Sequence, residues 1–519
     1  MANTKFFVGF ASLILIMGVT ACNSNKSGDN SEKQDSKIIP ATINRQILNR
    51  ADEDSAKISC SLEGVTYTSS DESVVSVEND GSVYLEGPGN AYVTVSKEGY
   101  FDKIFKVFVD VDDSIDYLVE GFEFGPAIVG AKISLTEPIS ASELEAANFT
   151  ARTNKTNRTI IGKSLCDIEG QVINATESKY IRLDFQTTYS GWGVAAGQGC
   201  FTYMNNMNSW TQNITVDATL SSAMGDYASG KVFDTLRART TLSTRDWGPA
   251  HSYSSNNQTL TYKAYEIDAL REDGVKNPLI IWLHGMGEGG TDPDIALLGN
   301  DVTALGEKQI QSHFPHGAYV LAVQTPTMWM DNGSGQSGGG NSIYRKILKD
   351  TIDHFIEHNL DIDANRVYLG GCSNGGYMTM EMAINYGDFF RAYYPTCEAY
   401  ANDLISDTQI QQLKDLSIWF IHAANDTTVP PNNYVIPTYQ RLMRAGAEDV
   451  HLAYFTDVRG TDCNPNGNNY MGHFSWIYIF RDMVDKDQAN SEQIKAPSDK
   501  DVIVDGEAVN LFDWFESKK

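Results

Sequence analysis

The 519-residue chain is too long for one ordinary hydrophobic core, which predicts two to four domains. Its hydrophobic fraction of 41% is typical of globular proteins, so large cores can form. The formal net charge of −27 disfavours nucleic acid as a partner, because that binding needs clustered Lys and Arg, and it disfavours docking on an anionic membrane surface.

Residues 1–22 have the pattern of a signal peptide. One lysine precedes an apolar run, Phe6 to Val19, which is short for a membrane span. The run ends in VTAC, which resembles the bacterial lipobox. The resemblance implies cleavage before Cys22, a lipid on its sulfur and anchoring to the cell envelope outside the cytoplasm, with no other membrane contact. The alternatives are an uncleaved anchor and a plain signal peptide with a chance cysteine. Residues 23–37 are polar and predict a flexible tether.

Two β-rich segments follow. Residues 38–112 alternate apolar and polar positions between Asn-Asp-Gly and Gly-Pro-Gly turns, which is typical of a β-sandwich. Their SSDESVVSV and GPGNAYVTV stretches resemble bacterial Ig-like modules of the second group. Residues 113–247 also read as mainly β, and FEFGPAI and LTEPIS…ANFTAR resemble the Ig-like N-terminal domain that precedes a group of bacterial esterases. We expect both segments to be spacers and supports without catalytic residues of their own.

The aromatic-rich stretch from Tyr189 to Trp210 has two interpretations. It forms either part of a packed sandwich core with loops, which we favour, or a glycan-binding surface.

Six cysteines follow Cys22, and export to an oxidising compartment permits disulfides among them. Cys166 and Cys200 lie in one predicted β-domain and are a plausible pair. Pairings that involve Cys60, Cys372, Cys397 and Cys463 stay open.

The spacing of apolar residues along the sequence changes at residue 248. Apolar β runs now alternate with amphipathic helices through residue 487, which predicts a doubly wound, mostly parallel sheet covered on both faces. Residues 488–519 are a polar tail that ends in FDWF, an aromatic patch expected to dock on the surface.

The pentapeptide Gly-x-Ser-x-Gly occurs twice, around Ser337 and around Ser373. A nucleophile elbow needs a strand before the serine and a helix after it, because the sharp turn lifts the hydroxyl above the sheet. Ser373 follows the strand RVYLGG and precedes the helix YMTMEMAINY, whereas Ser337 lies in a Gly/Ser-rich loop. The sequence therefore predicts Ser373 as the nucleophile.

An acid and a histidine should follow the serine in that order. His473 lies in a loop from which an imidazole can reach Ser373 as general base, whereas His451 begins a strand. Asp426, at the end of the strand SIWFIHAAN, is the predicted acid that fixes the His tautomer. Asp457 and Asp462 are its competitors.

The oxyanion formed during acyl transfer needs two backbone N–H donors. Asn374, directly after the nucleophile, is one. Met286 in the loop HGMGEGG is the other predicted donor, with Gly285 as the alternative, and His284 is expected to orient that loop. We expect no metal or other cofactor: His354 and His358 share a helix face but lack a third ligand.

LHGMGEGGTD, YVLAVQTP, DANRVYLGGCSNGGYMT and AANDTTVPP resemble α/β-hydrolase esterases related to polyhydroxybutyrate depolymerases, feruloyl and acetylxylan esterases and "predicted peptidases". The resemblance covers about 240 residues and implies the same triad of Ser373, Asp426 and His473. Family members often carry Arg at the position of Gly289. The ordered triad predicts a serine esterase that forms an acyl-enzyme. The polar, glycine-rich stretch from about Met328 to Asn341, with no long apolar insertion that could act as a lid, favours short-chain or carbohydrate-linked esters as substrates, including esters on plant polysaccharide. The alternatives are a serine peptidase of the prolyl-oligopeptidase type and a surface adhesin with an inactive hydrolase domain.

Overall fold

The structure is a computed structural model that describes residues 38–49, 55–191, 193–199, 214–219, 227, 230–272, 274–334, 339–460, 462, 469–487 and 500–518. The predictions for the signal peptide with Cys22, the tether at 23–37, Cys200, Trp210, Ser337 and Cys463 lie outside these residues.

The first β-unit consists of two four-stranded sheets, ordered β1-β3-β6-β5 and β2-β8-β7-β4. Strict alternation of buried and half-buried residues along GNAYVTVS gives each strand one core face. The strands are β1 (Ala41–Ile43), β2 (Ile47–Asn49), β3 (Ser55–Cys60), β4 (Thr66–Ser69), β5 (Val75–Val77), β6 (Ser82–Leu85), β7 (Gly89–Ser96) and β8 (Lys103–Asp110).

The second β-unit has a five-stranded sheet, β14-β15-β10-β9-β20, and a second sheet, β11-β18-β12-β13, to which β19 adds beside β18. Ser140 caps the short helix α1 and forms a capping box with Glu143. Its elements are β9 (Ser114–Glu120), β10 (Ala127–Ser140), α1 (Ala141–Ala146), β11 (Asn148–Phe149), β12 (Ala151–Thr153), β13 (Thr156–Arg158), β14 (Ile160–Cys166), β15 (Glu177–Phe185), β16 (Tyr189–Ser190), β17 (Gly193–Val194), β18 (Ile214–Thr219), β19 (Lys231–Phe233) and β20 (Thr235–Thr240).

The hydrolase unit is built on an eight-stranded sheet, ordered β21-β22-β24-β23-β25-β26-β27-β28. The pairs from β24 to β28 are parallel, and β21 and β22 join antiparallel. The elements are β21 (His251–Ser255), β22 (Gln258–Tyr265), α2 (Asp268–Glu272), β23 (Asn277–Leu283), α3 (Pro293–Leu298), α4 (Lys308–Gln311), β24 (Tyr319–Gln324), α5 (Arg345–His358), β25 (Ile362–Cys372), α6 (Asn374–Tyr386), β26 (Ala392–Thr396), α7 (Asp407–Leu413), β27 (Ile418–Ala423), α8 (Val435–Arg444) and β28 (Val450–Phe455).

Short elements complete the unit after β28. They are β29 (Val458–Arg459), β30 (Asn469–Tyr470), α9 (Ile477–Phe480), β31 (Lys486–Asp487), β32 (Lys500–Val504), β33 (Glu507–Val509) and α10 (Leu511–Ser517). The FDWF patch lies in α10, where Trp514 and Phe515 are fully buried. Tyr368 of β25 stacks on Phe515 and donates a hydrogen bond to its carbonyl, so the end of the chain is part of the core rather than a surface attachment.

The described residues form two separate hydrophobic cores. One is confined to the first β-unit and includes Leu48, Val83 and Val107. The other runs without interruption from the second β-unit, for example Ile133, into the sheet of the hydrolase unit. Within the described residues, none of the helices has the length and apolarity that crossing a bilayer requires.

The cysteines correct one prediction. Cys60, Cys166, Cys372 and Cys397 are free thiols, so Cys166 does not form the bridge that was a plausible interpretation of the sequence. Cys166 ends β14 inside the second β-unit, and burial raises the pKa of its thiol to about 12.

Candidate active site

Ser373 occupies the turn between β25 and α6, with the positive φ of 55° and ψ of −111°. Such a conformation costs a non-glycine residue energy and is characteristic of a nucleophile elbow. The flanking glycines are needed for space: a Cβ on Gly371 would lie 2.4 Å from the carbonyl oxygen of Leu283, and one on Gly375 would lie 2.0 Å from that same oxygen. The elbow therefore packs directly on the end of β23.

The predicted oxyanion donors lie on either side of this contact. Asn374 begins α6, whose N-terminal end favours negative charge. Met286 begins a short 3₁₀ helix, Met286–Glu288, directly after the end of β23. The side-chain oxygen and nitrogen of Asn374 are buried and have no hydrogen-bond partner in the described part of the chain.

His284 holds the oxyanion loop as a neutral ring. Its Nδ1 lies 2.5 Å from the carbonyl oxygen of Gly285, and its Nε2 accepts the backbone N–H of Thr325 at 3.1 Å. Burial lowers the pKa of His284 to about 4. Trp329 packs against this ring, with centroids 5.3 Å apart, and is fully buried, so it supports the loop.

Asp426 and His473 are in contact. The Nδ1 of His473 lies 2.8 Å from Oδ2 of Asp426, while Oδ1 of Asp426 accepts the backbone N–H groups of Thr428 and Val429 at 2.8 and 2.9 Å. Both side chains are buried. In this arrangement Nδ1–H is the donor to the carboxylate, which leaves Nε2 of His473 as the basic nitrogen.

A second histidine supports the acid, and the sequence reasoning missed it. Nε2 of His422, in β27, lies 3.2 Å from Oδ2 of Asp426 and 2.9 Å from the carbonyl oxygen of Val429. Burial of Asp426 disfavours its charge, but the hydrogen bonds from His422 and His473 outweigh that effect and hold the pKa of the carboxyl far below its ordinary value. The signal available in the sequence was a histidine at the end of a strand, four residues before the acid.

The backbone links the serine to the acid–base pair. The N–H of Ser373 donates to the carbonyl of Thr396, and the N–H of Cys397 donates to the carbonyl of Ile421. Neighbouring parallel strands end together at one sheet edge, so β25, β26 and β27 bring these segments to the same side. All three predicted triad residues therefore follow the carboxyl ends of strands, where ligand sites of open parallel sheets form.

Two buried carboxyls near the elbow were not among the predicted site residues. Burial raises the pKa of Glu288, in the oxyanion loop, to about 7, and its Oε2 has no hydrogen-bond partner among the described residues. Burial also raises the pKa of Glu398, directly after Cys397, and that carboxyl accepts the N–H of Tyr400. Both are packed against the backbone of the site.

The competing candidate residues make other contacts. His451 contacts Asp449, and Asp457 pairs with Arg459. Asp462 contacts Glu123 of the second β-unit. The rings of His354 and His358 lie 4.0 Å apart on α5. In the described ranges, no group of three or more His, Cys, Asp or Glu residues is arranged to hold a metal ion.

Comparison with known proteins fits this geometry. Residues 270–464 match the family described as phospholipase/carboxylesterase. The chain carries an α/β-hydrolase domain of the carboxylesterase type. It is therefore a serine hydrolase of carboxylic esters. No curated protein matches it.

One solved structure supports this fold. A thermostable esterase is 19% identical, with a TM-score of 0.54 over 71% of this chain and 96% of its own. Est1E from Butyrivibrio proteoclasticus with ferulic acid bound is 14% identical, with a TM-score of 0.28 over 40% of this chain and 88% of its own. The fluorophosphonate-binding serine hydrolase FphF of Staphylococcus aureus is 16% identical, with a TM-score of 0.28 over 40% of this chain and 89% of its own.

Proposed function

We propose that the protein is a lipid-anchored esterase of the cell envelope that hydrolyses carboxylic esters through an acyl-enzyme on Ser373. The observation that carries the proposal is the buried contact between His473 and Asp426, together with the strained elbow at Ser373. The lipid on Cys22 and the export signal rest on the sequence pattern of residues 1–22.

In the proposed reaction, Oγ of Ser373 attacks the ester carbonyl carbon while Nε2 of His473 takes the hydroxyl proton. The negative charge that develops on the carbonyl oxygen is stabilised by the N–H groups of Asn374 and Met286. His473 then gives its proton to the departing alcohol, which leaves the acyl group on Ser373. A water molecule then attacks the acyl carbonyl carbon while His473 takes a proton from it. The bond between that carbon and Oγ of Ser373 breaks, His473 returns the proton to Oγ, and the acid product leaves.

Asp426 does not take up or release a proton in this scheme. Asp426 is ionised throughout, because its hydrogen bonds favour the carboxylate. Its role is to keep the Nδ1–H tautomer of His473 and to stabilise the imidazolium that forms in the transition state.

We propose short acyl groups, or acyl groups attached to a sugar chain such as acetyl or feruloyl groups, as the substrates. The segment after β24 supports this, because its described residues after Met330 are polar or glycine, beginning Asp331-Asn332-Gly333-Ser334. A polar, glycine-rich segment beside the site suits a small or sugar-linked ester better than a long alkyl chain. The tether and the two β-units would let the enzyme meet polymers outside the cell, including plant polysaccharide.

Two other functions remain as alternatives. A serine peptidase would use the same triad on amides, and an adhesin would use the β-units and leave the hydrolase unit inactive. Matched ester and amide substrates separate the first from an esterase. A fluorophosphonate probe separates the second, because an inactive site would not react.

The test is a comparison of Ser373→Ala with Ser337→Ala, which changes the serine of the other Gly-x-Ser-x-Gly pentapeptide. With p-nitrophenyl acetate, Ser373→Ala should lower kcat by about 10,000-fold, and Ser337→Ala should leave it unchanged. Wild-type activity in Ser373→Ala would refute the proposal. A panel of acetyl, butyryl and long-chain esters with acetylated and feruloylated xylan then tests the substrate class, and a preference for ten or more carbons would indicate a lipase instead.

A further inference from the structure

The loop that carries His473 follows β28 and includes Gly460, Asp462 and Tyr470; we call it the His473 loop. It is in contact with the second β-unit. The contact comes from the tight turn between β9 and β10, in which Phe122 and Gly125 exchange backbone hydrogen bonds of 3.2 and 2.9 Å. Gly125 has a φ of 112°, which permits so tight a turn. Glu123 lies in this turn and is buried, with 3% of its surface exposed.

The backbone and the carboxylate of Glu123 bind the His473 loop at several points. Its Oε2 accepts the N–H of Asp462 at 3.0 Å, and its own N–H donates to Oδ2 of Asp462 at 3.2 Å. A Cβ on Gly460 would lie 2.1 Å from Oε2 of Glu123, so the loop backbone lies directly against the carboxylate. Arg481, directly after α9, lies with its Nε 3.6 Å from Oε1 of Glu123.

A third contact joins the turn to Trp476, whose ring packs against the imidazole of His473. The carbonyl oxygen of Glu123 accepts Nε1–H of Trp476 at 3.2 Å. The ring of Trp476 stands edge-on to His473, with centroids 5.9 Å apart and planes at 86°. Asp426 contacts the imidazole through Nδ1, and Trp476 packs edge-on to its ring, so the turn at Glu123 supports the base through Trp476.

We propose that Glu123 is a positioning residue for the general base His473, which makes the second β-unit part of the catalytic unit. The proposal rests on the proposed function, since it assigns His473 as the base. An aromatic contact between the same two segments also supports the proposal. Phe124, the next residue in the turn, stacks on Tyr470 of the His473 loop, with ring centroids 6.2 Å apart. A small displacement of a catalytic group is enough to slow a reaction strongly, so loss of these contacts should act on kcat.

The test uses Glu123→Ala, Glu123→Gln and Trp476→Phe in the full-length protein, with Lys103→Ala as the control. Glu123→Gln keeps an oxygen that accepts the N–H of Asp462, and Lys103 makes an ion pair with Asp268 where the first β-unit meets the hydrolase unit. The readouts are kcat and KM for p-nitrophenyl acetate, the rate of fluorophosphonate labelling and the melting temperature.

Glu123→Ala should lower kcat and the labelling rate by about 10- to 100-fold, with KM and the melting temperature nearly unchanged. Glu123→Gln should restore most of the rate, and Lys103→Ala should match the wild type. A Glu123→Ala variant with wild-type kcat and labelling rate would overturn the proposal.

If Glu123→Ala does not fold, Trp476→Phe tests the proposal in its place. It removes the Nε1–H donor but keeps an aromatic ring beside His473, and it should still slow labelling; an unchanged labelling rate in a folded Trp476→Phe variant would overturn the proposal. Failure of the wild type to be labelled or to hydrolyse esters would instead refute the proposed function, so the two failures are distinguishable.

Discussion

The two β-units differ in how they are joined to the hydrolase unit. The first has a core of its own. It contacts the hydrolase unit through the Lys103–Asp268 ion pair at 2.6 Å and through Arg271, which donates to the carbonyl oxygen of Asp102 and packs over the ring of Phe101. The second shares one continuous core with the catalytic sheet and contacts the His473 loop through Glu123. Two segments of similar composition therefore have different physical roles: the first is an attached module, and the second is a structural part of the enzyme.

The contact between the two β-units is also polar. Arg237 of β20 is buried, donates to the carbonyl oxygens of Gly89 and Val109 in the first unit, and binds Asp116 of its own unit. A buried ion pair adds less stability than a shared apolar surface of the same size, because desolvation offsets much of the attraction. The first unit is accordingly the more separable of the two.

The largest expected effect is that of removing both β-units. A chain that begins at residue 248 would expose the apolar surface that the second unit covers, so we expect loss of solubility and of esterase activity. Circular dichroism, size-exclusion chromatography and p-nitrophenyl acetate hydrolysis measure this. A soluble, fully active chain of residues 248–519 would break the comparison.

A pH titration compares a carboxyl of the shared core with one of the first unit. Burial raises the pKa of Glu288 from 4.5 to about 7, so the folded state holds this proton more tightly than the unfolded chain. Its contribution to stability is therefore fully present below about pH 4.5 and falls by about 3 kcal/mol as the pH rises through about 7. Urea unfolding of Glu288→Gln and wild type at about pH 4.5 and about pH 8 should show this difference.

The matched carboxyl is Asp80, which lies exposed in the first unit. A hydrogen bond from Lys57 lowers its pKa to about 2, so its contribution is present above pH 3.8 and is lost only as the pH falls through about 2. Asp80→Asn should therefore leave the stability difference between about pH 4.5 and about pH 8 unchanged. If the free energy of unfolding changed equally with pH in Glu288→Gln and in the wild type, the carboxyl of Glu288 would be hydrated in the folded state.

A smaller effect is expected from single ion pairs at the two junctions. Arg239 of the second unit lies 2.6 Å from Asp292, which caps α3, and also binds Asp294; all three are largely buried. Arg239→Ala should lower the free energy of unfolding by about 2–3 kcal/mol, since it leaves Asp292 without a cationic partner, whereas Asp294 keeps its ion pair with Lys263. Lys103→Ala, at a more exposed pair, should cost about 0–1 kcal/mol. Chemical denaturation of both variants measures this, and equal losses would contradict the comparison.

The sequence predicted the parts of the site that depend on local patterns. The strand–turn–helix context selected Ser373 over Ser337, and the order of residues after it selected Asp426 and His473, which the structure brings into contact. The roles of these residues, and of Met286 and Asn374 as oxyanion donors, stay predictions until activity is measured.

Long-range contacts could not be predicted in this way. Glu123 lies more than 300 residues before the loop that it binds, and no periodicity or motif relates the two segments. Glu288 stood in a recognised motif, but its pKa depends on burial that only the fold defines. The Cys166 pairing failed for the same reason, because membership of one β-domain does not determine which thiols meet.

The central claim is that Ser373 is the nucleophile of a catalytic unit that includes the second β-unit and excludes the first. The most direct measurement is fluorophosphonate labelling of the full chain and of a chain that begins at residue 113, with the labelled residue identified by peptide mass spectrometry. We predict that Ser373 is labelled in both chains and that the two rates agree within about twofold. Labelling at another serine, or a labelling rate about tenfold lower in the shorter chain, would contradict the account.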